Sequence, residues 1–178
     1  MRISMAERLR KLFDETDIRE AVKRLARAIV RDFDEEEILF VPILKGSFMF
    51  ASDLVREIEG PVIIDFIRAA SYGSGTATCR EVTLTKDLEM DIMGKNVIIV
   101  EDVIDSGLTL RAIRDMLLGR NPRSLKICAL VDKRARREVE IEGDYVGFTI
   151  DDGFIVGYGL DYAERYRNLP AIFVKEEG

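Results

Sequence analysis

Residues 97–110 read VIIVEDVIDSGLTL, and the fold follows from how that run is read. Four consecutive branched apolar residues with no polar alternation predict a strand buried on both faces, the habit of a parallel sheet. That strand leads straight into two adjacent carboxylates, Glu101 and Asp102. A third, Asp105, opens the compact loop Asp105-Ser106-Gly107-Leu108-Thr109, and a helix is expected over residues 109–118, stopped by Gly119 and by Pro122 beyond it. The loop has the makings of an anion cradle. Backbone amides, the Ser106 and Thr109 hydroxyls and the helix N-terminus can hold a phosphate, and Gly107 lets the backbone approach closely. The carboxylates repel that phosphate and suit sugar hydroxyls or a hydrated magnesium ion instead. Asp105 is open to three readings, a helix cap, a spacer of the phosphate loop or a proton-transfer carboxylate. Neither GxxxxGK[ST] nor GxGxxG occurs, which excludes a P-loop and removes support for a dinucleotide fold.

Outward from that run, more strands and helices alternate. Leu9, Leu12, Ile18, Val22, Leu25 and Ile29 have helical spacing, with Asp17 and Glu20 as a capping box that restarts the helix. Residues 38–41 predict a buried strand closed by Pro42. The loop Leu44-Lys45-Gly46-Ser47 then leads into an amphipathic segment over 48–58. Residues 62–67 form the next strand, 69–78 a small-residue stretch that Gly73 and Gly75 keep irregular, and 80–86 a half-exposed strand. Residues 125–131 add another apolar strand. Strands separated by helices imply an α/β fold with a central parallel sheet, whose ligands gather at the carboxyl ends of the strands. Residues 145–150 and 154–158 flank Asp151-Asp152-Gly153 as an expected hairpin, and 172–174 close the chain. This tail is too short to fold alone. Residues 1–178 are therefore expected to form one domain, with a small hood built mainly from 138–178.

Composition narrows the function. A chain of 178 residues with 47% hydrophobic content can bury one real core, and no apolar run approaches the roughly 20 residues of a membrane span. Residues 1–7 lack the apolar centre of a signal peptide, so a cytoplasmic location is expected. Cys79 and Cys128 are too few for a disulfide framework and read as free thiols. The net charge of −6 argues against nucleic acid as a partner, including an RNA-binding regulator on the same fold, which would need a basic face. The basic cluster Arg134-Ala135-Arg136-Arg137 reads as solvated surface or a subunit contact. Histidine is absent, which leaves carboxylates, lysines and backbone amides to carry chemistry.

The run over 97–110 closely resembles the phosphoribosyl-pyrophosphate (PRPP) motif of type I phosphoribosyltransferases. The resemblance implies that Glu101 and Asp102 bind the ribose hydroxyls and that residues 105–109, Leu108 included, hold the 5′-phosphate. Most of the remaining chain is similar to the hypoxanthine-guanine branch of that family. Leu44-Lys45-Gly46-Ser47 is similar to its pyrophosphate loop, with Lys45, Gly46 and Arg167 as pyrophosphate ligands. Ser71-Tyr72-Gly73 matches the start of its mobile lid. Lys133, in Leu130-Val131-Asp132-Lys133-Arg134, matches the lysine that meets the purine's exocyclic oxygen, and Phe154, Ile155 and Asp161 match its base pocket.

The resemblance thus implies a 6-oxopurine substrate, hypoxanthine or guanine, since a lysine ammonium meets an oxygen acceptor whereas adenine presents a donor there. It implies Asp105 as the carboxylate that handles the proton at nitrogen 7 of the base. It also implies magnesium held by Glu101, Asp102 and, through water, Asp161, and a homodimer or homotetramer.

Overall fold

The apolar run at Val97 lies at the centre of a five-stranded sheet. The computed structural model describes residues 8–34, 36–72 and 81–176. Along them run β1 (Arg8–Phe13), α1 (Glu15–Phe33), β2 (Ile38–Pro42), α2 (Phe48–Arg56), β3 (Val62–Ile64), β4 (Arg68–Tyr72) and β5 (Glu81–Lys86). There follow β6 (Asn96–Ile104), α3 (Leu108–Leu118), β7 (Ser124–Lys133), β8 (Tyr145–Ile150), β9 (Ile155–Val156) and β10 (Ile172–Glu176). The large sheet has the order β3-β2-β6-β7-β8 and every pairing in it is parallel. Val97, Ile98, Ile99 and Val100 have no exposed surface at all. Ile98 and Val100 pack with α1 and α2 on one face, Val97 and Ile99 with α3 on the other. Burial of both faces explains why the run carries no polar alternation.

From β2 the chain crosses outward to β3, and from β6 it crosses the other way to β7 and β8. The sheet order therefore reverses between β2 and β6, and the crevice at their carboxyl ends is where an open α/β sheet takes its ligand.

Several sequence expectations need correction. Leu9 and Leu12 lie on β1, which pairs antiparallel with β10, and the chain's far end decides that pairing. The helix starts later than the apolar spacing suggested. Its N-cap is Asp14, whose Oδ1 accepts from the amides of Thr16 and Asp17 at 2.8 and 2.9 Å, while Asp17 accepts from the Asp14 amide. The capping box is thus Asp14 with Asp17, not Asp17 with Glu20. Residues 69–72, expected to be irregular, belong to β4, whose backbone pairs with β5, and the expected strand over 62–67 keeps only β3 as regular structure. No hairpin joins residues 145–150 to 154–158. Instead β8 extends the parallel sheet beside β7, and β9 pairs with β10. The small antiparallel sheet, β1-β10-β9, joins two strands from residues 138–178 to one from the other end of the chain.

Tyr158 pins this small sheet to α2 by donating from its hydroxyl to Asp53 Oδ2 at 2.6 Å. Cys128 is wholly buried, and burial raises its thiol far above the range in which a thiolate forms at neutral pH. Cys79 lies outside the described residues. Among the described residues no helix is long and apolar enough to cross a membrane.

Candidate functional site

The loop after β2 begins where Pro42 ends the strand. The Ile43 amide donates to Val100 of β6, and the buried Ser47 hydroxyl donates back to the Ile43 carbonyl at 2.7 Å. These bonds bring Gly46 against the carboxylate of Asp102. A Cβ added to Gly46 would lie 1.7 Å from Asp102 Oδ2, and one added to Gly159 would lie 2.1 Å from the Gly46 carbonyl. Only glycines fit this meeting of the β2 loop, β6 and the small sheet, which is the first structural sign that Asp102 faces a shared crevice.

Glu101 and Asp102 sit within β6, which continues to Ile104 rather than stopping before them. Burial pushes the Glu101 carboxyl well above its ordinary range, and the neighbouring Asp102 charge adds to the rise. Burial also raises Asp102, offset in part by a hydrogen bond from Glu101 and by backbone amides. Oε2 of Glu101 is buried without any partner. A desolvated acceptor of this kind is costly unless a ligand supplies a donor or a cation.

Beyond β6 the chain turns at Gly107, the N-cap of α3, with φ of +82°. Asp105 therefore does not cap the helix. Ser106 Oγ accepts from the Leu108 amide at 3.4 Å, and Thr109 is exposed on the first turn. The loop's amides and hydroxyls thus surround a helix N-terminus at the end of a buried parallel strand, as an anion cradle requires.

Lys133, at the end of neighbouring β7, is 5% exposed. Its ammonium lies 3.3 Å from Asp105 Oδ2, while Asp105 Oδ1 is buried and has no partner. Two residues far apart in the chain thus form one site because β6 and β7 are adjacent.

Sequence reasoning missed the residue that braces this arrangement. Arg137 donates to the Asp105 carbonyl at 3.1 Å, to those of Ile104 and Lys133 at 3.5 and 3.4 Å, and to that of Ile141. It also pairs with the buried carboxylate of Asp132. Arg134 and Arg136, with side chains 71% and 64% exposed, fit the expected solvated cluster, but Arg137 is 17% exposed and does not.

The fourth wall comes from residues 154–167. Phe154 is 47% exposed although it precedes an apolar strand, and Tyr162 meets it edge-on with ring centroids 5.4 Å apart. Lys175 lies 3.5 Å above the Tyr162 ring. An exposed aromatic face braced from the side is suited to stacking on a flat heterocycle. Ile155 is buried in the core, so its side chain faces away from solvent. Arg167 donates to the Gly159 carbonyl at 2.7 Å and pairs with Asp161 at 2.8 Å, and Lys45 meets Glu164 at 2.9 Å. Ser71 and Tyr72 end β4, their side chains and residues 73–80 lying outside the described ones.

Residues 10–163 match the family model described as a phosphoribosyl transferase domain. The chain is 49% identical over 163 residues to the hypoxanthine phosphoribosyltransferase of Salmonella typhimurium, covering 90% of this chain and 92% of that one. It is 44% identical over 172 residues to the hypoxanthine-guanine phosphoribosyltransferase of Aquifex aeolicus, covering 96% and 97%. A crystal structure of a hypoxanthine-guanine phosphoribosyltransferase from Bacillus anthracis superposes with a TM-score of 0.89 at 53% identity, covering 93% of this chain and 97% of that one. By sequence, by fold and by where its carboxylates, lysine and glycines meet, this chain belongs to the phosphoribosyltransferase family, in its hypoxanthine-guanine branch.

Proposed function

We propose that the chain is a purine-salvage transferase that moves the 5-phosphoribosyl group from PRPP to hypoxanthine or guanine, giving IMP or GMP and pyrophosphate. The observation that carries this reading is the 3.3 Å approach of Lys133 Nζ to Asp105 Oδ2 beside the phosphate loop. It sets a donor for the base's exocyclic oxygen next to a carboxylate that can accept the proton of nitrogen 7. Nitrogen 9 attacks the anomeric carbon of the ribose, the bond from that carbon to pyrophosphate breaks, and the nitrogen 7 proton passes to Asp105. Phe154 stacks on the purine, residues 105–109 hold the 5′-phosphate, and Glu101 and Asp102 take the ribose hydroxyls. Lys45, the Gly46 backbone and Arg167 receive the departing pyrophosphate.

Magnesium suits the donor set. Among the described residues no group of three or more acidic or thiol side chains forms a self-sufficient metal site, and the unpartnered Glu101 oxygen stands beside Asp102. Magnesium characteristically takes one or two carboxylates and completes its shell with substrate oxygens and water. Glu101 and Asp102, with Asp161 through water, would hold it, and when bound it would offset the charge of pyrophosphate.

The test is pyrophosphate release from PRPP and magnesium with hypoxanthine, guanine, xanthine, adenine or uracil offered singly. Hypoxanthine or guanine should support turnover that excess chelator abolishes. Equal turnover with adenine would overturn the base assignment.

A further inference from the structure

Both cations assigned to pyrophosphate are already engaged, and by the same oxygen. Glu164 Oε2 lies 2.9 Å from Lys45 Nζ and 3.3 Å from Arg167 Nη2. Among the described residues, Glu164 is the only ion-pair partner of Lys45. A glutamate on solvated surface would ordinarily wander, and this side chain is 65% exposed. Its backbone is what places it. Asp161 Oδ2 accepts from the Glu164 amide at 2.9 Å, and Tyr162 and Arg165 exchange backbone hydrogen bonds across the turn. Ala163, Glu164 and Tyr166 all hold positive φ, of 50°, 63° and 75°, a conformation that residues with a Cβ adopt only where the surroundings impose it. The turn thus aims a carboxylate at the cations. Hydrogen bonds from Lys45 and then from Arg167 hold the Glu164 carboxyl below its ordinary value, so it is ionised at neutral pH.

We propose that Glu164 is a built-in counter-anion of the pyrophosphate subsite. Its carboxylate bridges Lys45 and Arg167 while no pyrophosphate group is bound, gives way when PRPP brings one, and returns as the product pyrophosphate leaves. This rests on the assignment of Lys45 and Arg167 to pyrophosphate made above. A single carboxylate oxygen is a weaker partner than a pyrophosphate with several charged oxygens, so displacement is favourable but costs affinity. The same competition speeds departure of the product, a useful trade where release limits turnover.

Binding of inorganic pyrophosphate in excess magnesium, measured by calorimetry on the whole protein, tests the idea. Glu164→Gln removes the charge. Glu164→Asp keeps the charge but is one methylene too short to bridge the cations. Both should tighten pyrophosphate binding, by about two- to tenfold given the modest strength of exposed ion pairs, and both should slow its dissociation. Tightening by Gln alone would mean that overall charge matters and the bridge does not, which overturns the proposal. Unchanged binding in both variants overturns it as well. Lys45→Met separates the two layers of the reading. If it weakens pyrophosphate binding while the Glu164 variants match wild type, only the counter-anion is wrong. If it leaves binding unchanged, the pyrophosphate subsite is misassigned and the counter-anion falls with it.

Discussion

Asp105 is the residue whose surroundings say most about mechanism. One of its oxygens meets Lys133 and the other is buried without a partner. Gly107 holds the N-cap position of α3, so the capping reading that the sequence left open is closed. What remains is a spacer of the loop or a proton acceptor. Asparagine preserves size and local hydrogen bonding, so a spacer predicts little change for Asp105→Asn. A proton acceptor predicts a fall in the chemical step of about a hundredfold or more. We expect that fall in single-turnover measurements at saturating PRPP and hypoxanthine, with PRPP affinity near normal if, as proposed, backbone amides hold the phosphate. A chemical rate kept by the variant would make Asp105 structural. This carboxylate was legible in the sequence because Glu101, Asp102 and Asp105 sit within a few residues of one buried strand. Its partnership with Lys133 was not, since only the adjacency of β6 and β7 creates it.

Among the elements, the end of β7 and the loop after β6 are tied together by Arg137. Its guanidinium spans Asp132, Asp105, Lys133 and Ile141, and a Cβ on Gly107 would lie 3.2 Å from its Cδ. Arg137→Met leaves the buried Asp132 carboxylate with the exposed Arg134, 3.4 Å away, in place of its main partner. Loss of one member of a buried pair costs about 3–5 kcal/mol, the lower end applying where a second partner stays. Urea unfolding should show a loss of that size. Arg137→Lys should recover only part of it, since an ammonium cannot reproduce the planar fork. Adding Asp132→Asn to Arg137→Met should recover part of the stability by removing a buried charge that the exposed Arg134 compensates only weakly, and a double variant no more stable than Arg137→Met would refute the account. The sequence hid this role inside a run of similar residues. Arg134, Arg136 and Arg137 look alike until the chain folds back through residues 138–141 and covers only the last. A comparable blindness affected β8. A tight turn at Asp151-Asp152-Gly153 looks like a hairpin, but the partner of residues 145–150 is β7, in parallel. The inner strands β2, β6 and β7 were readable because their long buried runs declare themselves locally. The β1–β10 pairing joins the two ends of the chain and leaves no local mark.

For the whole molecule, the acidic crevice sets stability against function through pH. Burial raises the Glu101 carboxyl well above its ordinary value, with the Asp102 charge adding to it, and burial raises Asp102 too. In the unfolded chain these groups ionise near their ordinary values, about 4.3 for Glu and about 3.9 for Asp. Above those values the unfolded state has lost its protons while the folded state still holds one or more. Folding then takes up protons, so stability falls as pH rises from the ordinary carboxylate range through the raised folded value, and stays lower beyond it. Below the ordinary range both states are protonated and the effect vanishes. Glu101→Gln keeps the shape and offers Asp102 an amide donor in place of the protonated acid, but it cannot titrate. At pH 7 the ligand-free variant should melt higher than wild type by about 2–4 °C, the yield of roughly 1 kcal/mol in a domain of this size. The gap should narrow as the pH falls through the ordinary carboxylate range and close below about pH 4, where the wild-type carboxyl is protonated in both states. A difference in melting temperature that stays constant with pH would exclude the linkage. On the proposed assignment of Glu101 to the ribose hydroxyls, the same substitution should also weaken PRPP binding. Higher stability combined with weaker binding is the pairing expected of a crevice that keeps its carboxylates desolvated for a ligand and sacrifices stability to do so.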